Sequence, residues 1–553
     1  MFKRLSRLDL IFFLFIFMAG VILYRLAVVQ IIRADYYKAL AQGQQGNFQV
    51  LRGERGSIYF RGGQILAANV KKSYAFVSPR RIDKKRETAK KLAQILNLNE
   101  EDVLQKIKKD DFFEKIKSNL TKEEEDKIKK SKLKGVYIGQ ENVRNYPQGL
   151  FASHLVGFLA KGDRGQYGVE GYYNDILQGK EIVLGDGSGL EKAKGGDIFL
   201  TIDYNIQFKA EKLLEKAKKE FDIEGGQIVV ADPSSGEILA LADFPNFDPN
   251  NYSKVKNFEI FQNSAIQKLF EPGSVFKPIT MAGALDKNKI TPQTTYIDTG
   301  KLKIGGRFIH NYDNRSFGEQ TMTNVLEKSI NTGAVFAEKI LGDKLFLDYI
   351  EKFGFFEPTG IDLQGEVFSR NKELKNGREI NFATASFGQG IEVTPIQLVR
   401  AFSAIANGGD LIKPYVVKKI LRNGREVEIR PKEPSPRKVI SKETCSKLTA
   451  MMVSVVKNGP YTKRARVPGY YIAGKTGTSQ ISWSAYGIQR KGYSDKTWQS
   501  FIGFAPAFNP KFLVLIKLDN PKTRSSEYSA VPAFREMAEY LINYYQIPPD
   551  CEE

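Results

Sequence analysis

Apolar residues along this chain follow a succession of distinct patterns. From Leu10 to Ile32 they run almost unbroken, LIFFLFIFMAGVILYRLAVVQII, long enough for the roughly 20 residues that a bilayer-spanning helix needs. Only Arg25 and Gln30 interrupt the run, near its far end, where a long basic side chain can snorkel to the headgroups. From Arg52 the text RGERGSIYFRGGQILA sets short apolar patches between glycines and reads as strands and turns. Between about Asp83 and Lys134, runs such as AKKLAQILNLNEEDVLQKI space Leu and Ile at helical intervals among charges, predicting an insert of amphipathic helices. At KGGDIFLTIDYNIQFKAEKLLEKAKKEF, Gly195 and Gly196 lead into a short strand, an Asp203 cap and an amphipathic helix, and the main domain boundary is expected there. Beyond it, GGQIVVADPSSGEILALADF reads as a hairpin of two strands across an Asp-Pro-Ser-Ser-Gly turn. Helical runs come next in VFKPITMAGALDKNK, TNVLEKSINTGAVFAEKIL and TPIQLVRAFSAIANGG. The text QSFIGFAPAFNPKFLVLIKLDNP then returns to strands, and a helix from about Ala533 to Tyr545 closes the chain. Strands, then helices, then strands predict an α+β domain with one antiparallel sheet flanked by helices; no internal repeat is present.

At 553 residues the chain is well past the ~250–300 at which one core stops growing, so more than one folded unit is expected. The pattern divides it into a short tail at 1–9, a transmembrane anchor at 10–32, a non-catalytic region with the helical insert at 33–195, the main domain at 196–547 and a tail at 548–553. Lys3, Arg4 and Arg7 precede the span, so the positive-inside rule keeps the N-terminus cytoplasmic and sends everything after Ile32 outward. A cleaved signal peptide is the competing reading, on the small-x-small text at Ala39 to Ala41. Arg33, Asp35 and Lys38 separate that text from the apolar run, which favours an uncleaved anchor. The 83 Lys and Arg against 63 Asp and Glu leave a formal charge of +20, suited to nucleic acid, acidic lipid or an anionic wall polymer. Export argues against nucleic acid, and much of the surplus lies in RRIDKKRETAKK and KIKKSKLKG, which read as solvated helix faces. With only two cysteines, Cys445 and Cys551, and two histidines, His154 and His310, disulfide frameworks and Cys/His zinc sites are nearly excluded. The two histidines also leave a Ser-His-Asp triad hard to assemble, and both are read as structural.

The chemistry concentrates in three short motifs. In EPGSVFKP, Pro272 and Gly273 break the chain just before an apolar helix, and Ser274 and Lys277, three apart, share one helical face. Such neighbours have Cβ atoms ~5–6 Å apart, so the amine can reach the hydroxyl and act as its base once burial or a nearby cation disfavours its charge. Ser131–Lys134 and Ser454–Lys457 have the same spacing, but the first sits in a solvated Lys-rich run and the second lies mid-helix without a Pro-Gly entry. Downstream of Ser274 come Ser329-Ile330-Asn331, then Lys475-Thr476-Gly477-Thr478, which holds the one Lys-Thr-Gly in the chain. Alone, Ser329 and Asn331 could cap a helix and Lys-Thr-Gly could end a strand. Ser-x-x-Lys, Ser-x-Asn and Lys-Thr-Gly in that order are specific.

At these residues the chain resembles the class B penicillin-binding proteins. The resemblance extends through the membrane exit RLAVVQIIRADYYKALAQGQ and through RGSIYFRGGQILA, NYPQGLFASHLVGFLAKGDRGQYGVEGYYNDILQG, GGDIFLTID, DPSSGEILALADFPNFDPNNY and SFGQGIEVTPIQL. It departs where the family usually has Asp-Arg-Asn-Gly and this chain has Phe60-Arg61-Gly62-Gly63; Ile330 occupies the variable middle of Ser-x-Asn. The resemblance implies one membrane span, an elongated non-catalytic pedestal of the dimerisation type and a C-terminal transpeptidase domain outside the cytoplasmic membrane. It implies Ser274 as acyl nucleophile, Lys277 as its base, Ser329 as proton relay to the leaving D-alanine and Asn331 as a donor-peptide contact. Lys475 would lower the proton affinity of the Ser-Lys pair, Thr476, Gly477 and Thr478 would bind the substrate and its terminal carboxylate, and backbone N–H groups of Ser274 and Thr478 would form the oxyanion hole. No metal or organic cofactor is implied. The implied partners are peptidoglycan stem peptides ending in D-Ala-D-Ala, β-lactams, the cytoplasmic membrane and a membrane glycosyltransferase of the shape, elongation, division and sporulation family. SINTGAVFAEKILG and SFGQGIEVTPIQLVRAFSAIANGG are more similar to the division-type (FtsI-like) members, hence to septal wall synthesis, than to the elongation type. A β-lactamase or sensor fits the long pedestal less well, a carboxypeptidase would share the acyl-enzyme, and the rival of a different class is an inactive scaffold that recruits a polymerase.

Overall fold

Residues 7–34, 37, 51–179, 181–182, 194–427 and 436–551 are described by the computed structural model. The chain divides into two units that interleave in sequence. One comprises Met1–Glu54, Asn69–Asn145 and Lys180–Ala193; the other comprises Arg55–Ala68, Tyr146–Gly179 and Lys194–Glu553. Gly195 and Gly196 do open a strand, Asp197–Leu200, as expected. The stretches Arg55–Ala68 and Tyr146–Gly179 nevertheless belong to the larger unit, because Ile58, Phe60, Leu155 and Phe158 join its core.

In the smaller unit the anchor helix Arg7–Ala27 continues into a π-helical turn, Val28–Ile32. Its Ile11–Ile31 stretch has mean hydropathy 2.4 and none of it is buried by the rest of the chain, so its apolar surface calls for a hydrocarbon environment. The Ala39–Ala41 text considered for cleavage lies outside the described residues. Beyond it, helices Lys85–Leu96, Glu100–Lys108 and Lys122–Ser131 form the expected insert, the latter two opened by Asn99 and by a Thr121–Glu124 capping box. Leu92, Leu96, Val103, Ile107 and Ile128 pack with Ala75 and Val77 into its core. The insert is not wholly helical. Glu114–Lys117 is a strand pairing with Ala75–Val77, because Ile116 alone of its four residues points inward and the local period is two.

In the larger unit, numbered on its own, the elements that matter are α1 (Tyr204–Phe221), β1 (Gly225–Ala231), β2 (Ile238–Phe244), α2 (Lys277–Asp286), α3 (Met322–Glu327), α4 (Asn331–Leu341), α5 (Pro395–Ala406), α6 (Lys442–Asn458), β3 (Ala473–Ser482), β4 (Tyr493–Ala505), β5 (Phe512–Asp519) and α7 (Ala530–Tyr544). The five strands form one antiparallel sheet in the order β2-β1-β5-β4-β3, with Val229 opposite Leu241 and Leu515, and Lys475 opposite Ile502. Both faces are apolar because helices cover both. Val229, Leu241, Ile502 and Leu515 pack with Ile279, Phe402 and Met452 of α2, α5 and α6. Their alternating neighbours Ile228, Val230, Phe501 and Ile516 pack with Leu213 of α1 and Met537 of α7. A second group of strands joins Ile58–Tyr59 in parallel to Asp197–Leu200, which pairs in turn with Val417–Arg422. The result is the expected α+β architecture, with β3 at the edge of the main sheet and α2 buried against one face.

Candidate active site

Gly273 takes a left-handed φ of +60° and turns the chain into a 3-10 turn, Gly273–Phe276, from which α2 proceeds at Lys277. Ser274 thus sits on the tight turn ahead of the α-helix rather than in its first regular turn, half-buried at the wall of a cavity of about 460 Å³. Strand β3 comes unusually close to this turn. A Cβ on Gly477 would lie 2.8 Å from the Pro272 carbonyl oxygen and 2.6 Å from Ser500 Oγ, so only glycine allows the approach. Lys-Thr-Gly therefore lies within a strand, not at its end, and its glycine sets the distance between β3 and Ser274.

The run TNVLEKSINTGAVFAEKIL is two helices rather than one. Ser329 adopts φ +56°, a conformation costing a β-carbon residue roughly 1 kcal/mol, between the end of α3 and the start of α4. Ile330, 1% exposed, drops into the core and pins the break. Neither neighbour caps α4: its N-cap is Ile330 and no side chain satisfies the helix end. Ser329 and Asn331 are left free to face the cavity.

What they meet there is a pair of buried lysines. Lys277, 0% exposed, has an Nζ that donates to the Ser329 carbonyl oxygen at 2.5 Å, to Ser329 Oγ at 3.1 Å and to Asn331 Oδ1 at 2.9 Å. Asn331 is held from its other end, where Nδ2 donates to the His310 carbonyl oxygen at 2.9 Å. Lys475 Nζ donates to the same Ser329 Oγ at 3.0 Å, and to the Thr476 carbonyl oxygen and Oγ1 at 3.2 and 3.3 Å. Every one of these acceptors is neutral. Burial, and then the like charge of Lys475, hold the Lys277 amine well below its ordinary range, while burial brings Lys475 down to about 7. An amine so placed gives up its proton readily and can take one from a hydroxyl.

Of the residues singled out by sequence, Ser274, Ser329, Asn331, Thr476 and Thr478 line one cavity, with Lys277 and Lys475 beneath it on Ser329 and Gly477 packed behind Ser274. Among the described residues, the hydrogen-bond partners of Lys277 Nζ do not include Ser274 Oγ; the lysine leans toward Ser329 and Asn331. The other Ser-x-x-Lys sites lead elsewhere. Ser131 Oγ donates to the Ile128 carbonyl at 2.7 Å with Lys134 paired to Asp83, and Ser454 Oγ donates to Glu327 at 2.5 Å. His154 is buried, its Nε2 2.7 Å from the Ile260 carbonyl oxygen, in keeping with a structural role. His310, read alike from sequence, stands at the cavity wall. Gln389, Arg524 and Ser526 also line the cavity, and Ser526 Oγ lies 3.1 Å from Thr478 Oγ1. Of these only Gln389 carried a signal, within SFGQG; the others come from segments without a motif. Among the described residues no group of three His, Cys, Asp or Glu could hold a metal ion.

Two family profiles match the chain. A profile of the penicillin-binding protein transpeptidase domain matches residues 226–539, and one of the penicillin-binding protein dimerisation domain matches residues 50–183. The chain is 35% identical to stage V sporulation protein D of Bacillus subtilis (strain 168), over 92% of this chain and 81% of that protein. It is 29% identical to the peptidoglycan D,D-transpeptidase FtsI of Buchnera aphidicola, over 99% of this chain and 96% of that protein. Among solved structures, penicillin-binding protein 3 of Mycobacterium tuberculosis in complex with aztreonam superposes with a TM-score of 0.71 at 26% identity, covering 90% of this chain and 98% of that one.

Proposed function

Because the chain belongs to the penicillin-binding transpeptidases, as a class B member of the FtsI type, we propose that it is a septal peptidoglycan D,D-transpeptidase working through an acyl-enzyme on Ser274. One observation above all supports the serine mechanism. Ser329 Oγ sits 3.1 Å from Lys277 Nζ and 3.0 Å from Lys475 Nζ, with no carboxylate among the lysines' partners in the described residues, in the cavity that Ser274 lines.

Neutral Lys277 accepts the Ser274 proton as Oγ attacks the carbonyl carbon of the penultimate D-alanine. The developing oxyanion is met by the N–H groups of Ser274 and Thr478. Collapse breaks the peptide bond, the departing D-alanine nitrogen takes a proton through Ser329, and the stem peptide stays as an ester on Ser274. The amine of a second stem peptide then attacks that ester, its proton returns through the same lysine and serine, and Ser274 is released with a new amide cross-link. Asn331 orients the donor backbone, and Thr476 and Thr478, on the strand that Gly477 lets close in, hold the terminal carboxylate. A β-lactam enters by the first half of the cycle, its ring amide replacing the D-Ala-D-Ala bond.

The exposed apolar helix anchors the protein to the cytoplasmic membrane. Lys3, Arg4 and Arg7 support an orientation with the N-terminus inside and the catalytic domain outside. The anchor also offers a surface to a membrane glycosyltransferase. Product analysis tests the reading: full-length protein given a D-Ala-D-Ala donor and an amine acceptor should yield cross-linked dimer with release of D-alanine. Hydrolysed donor alone would make it a carboxypeptidase, and no turnover with growth supported by Ser274→Ala would make it a scaffold.

A further inference from the structure

Glu271 opens the EPGSVFKP text, three residues before Ser274 and outside Ser-x-x-Lys itself, yet it touches the elements around Ser274. Its carboxylate oxygens accept the Tyr493 hydroxyl at 2.9 and 3.1 Å, from the outer end of β4, where Tyr493 faces Ser482 of β3. The nearby backbone N–H of Gly390 also favours the charged form of Glu271. Its own carbonyl oxygen accepts Ser479 Oγ at 2.7 Å, one residue beyond Thr478. The next link is equally close: Gly273 N–H donates to the Gly388 carbonyl oxygen at 2.9 Å, and a Cβ on Gly388 would lie 2.1 Å from the Gly273 oxygen. Glu271 therefore stands where the Ser274 turn, the β3–β4 hairpin and the loop from Gly388 to Val393 meet, its side chain on β4 and its carbonyl oxygen on β3.

We infer that Glu271 is a positioning residue for acylation: its carboxylate fastens the Ser274 turn to the outer end of β4, the strand paired with β3, so that the Ser274 and Thr478 N–H groups keep the spacing an oxyanion requires. This rests on the transpeptidase reading above. The Tyr493 hydroxyl needs an acceptor on both oxygens, which the carboxylate is and a protonated carboxyl is only in part. The titratable groups that act on Glu271 are Tyr493 from β4 and Glu392 from the loop. Burial, with the charge of Glu392, raises Glu271 to about 7 against the opposing hydrogen bonds of Tyr493 and Gly390. The fastening should then weaken as pH falls through neutrality.

The test is the second-order rate of acylation of the full-length chain by a fluorescent penicillin, from about pH 5 to about pH 9, for wild type, Glu271→Gln and Tyr493→Phe. Wild type should lose rate on the acid side more steeply than one proton allows, because Lys277 and Glu271 must both be unprotonated. Glu271→Gln offers one acceptor oxygen where the carboxylate has two and has no proton to exchange, and should react about tenfold more slowly with a one-proton limb. Tyr493→Phe removes a hydrogen bond that favours the carboxylate, so Glu271 binds its proton more tightly and the limb moves to higher pH. A residue that merely braced the fold would lower the rate without moving the limb. Glu271→Gln acylating at the wild-type rate with the wild-type limb overturns the inference. If that variant does not fold, Tyr493→Phe decides alone: a limb moved upward supports the inference, and an unmoved one overturns it. A folded wild type that takes no label overturns the transpeptidase reading as well, a result distinct from a labelled wild type with indifferent variants.

Discussion

Arg55 and Lys277 are both basic side chains withdrawn from water in the larger unit, and the chain surrounds them in opposite ways. Arg55, 8% exposed, meets Glu170, itself 0% exposed, at 2.6–2.7 Å, and Tyr146 donates to the second Glu170 oxygen at 3.2 Å. Lys277 meets a carbonyl, a hydroxyl and an amide oxygen, with a second lysine beyond the hydroxyl. A guanidinium beside a carboxylate keeps its charge and serves the fold. An amine among neutral acceptors, with another amine close by, is held where losing the proton costs least, which is a poor arrangement for stability and a good one for a base. Counter-charge, more than burial, separates the structural cation from the chemical one.

The comparison can be broken most directly at Lys277. Lys277→Met should slow acylation of Ser274 by about 10³-fold while leaving the thermal midpoint at neutral pH unchanged or higher, since a costly buried amine is removed. A rate within tenfold of wild type would return Lys277 to the structural class. Arg55→Met should do the reverse. Leaving Glu170 buried without its partner costs about 3–5 kcal/mol in urea unfolding, while the acylation rate per folded molecule stays at the wild-type value. A smaller effect is expected at Lys475. Lys475→Met withdraws the like charge, so Lys277 holds its proton more tightly and the acid limb of acylation moves to higher pH. The same variant should flatten the pH dependence of stability. Lys475 lies near 7 in the folded protein against 10.5 for an exposed lysine, so between those values the unfolded chain binds a proton that the folded one does not. The stability due to this lysine therefore grows with pH across that window and is lost as pH falls through it, and Met has no proton to exchange.

The distribution of what sequence reveals mirrors the same chemistry. That Ser274, Lys277, Ser329, Asn331 and Lys475 meet at one site is legible because the chemistry proposed for them needs particular residue types at helical or strand spacing. The sheet and its flanking helices are legible from apolar periodicity, as in the hairpin of β1 and β2. The left-handed break at Ser329 is not, because its neighbours continue a helical pattern and what ends the helix is Ile330 entering a core formed by distant segments. Nor is the lean of Lys277 toward Ser329, which depends on α3 and α4 meeting α2. The strand Glu114–Lys117 hides among lysines because only Ile116 of its side chains is buried. Glu271 and Ser526 carry no local signal, since their partners lie more than 200 and nearly 50 residues away in sequence.

The central claim is that Ser274, served by an amine kept without a counter-ion, is the nucleophile. Incubating the full-length protein with a fluorescent penicillin, digesting it and locating the adduct by mass spectrometry tests this in one step, with Ser274→Ala alongside. A single adduct on the peptide carrying Ser274, absent from the variant, is the predicted result. An adduct on another serine, or a correctly folded wild type with no adduct at all, would contradict the account.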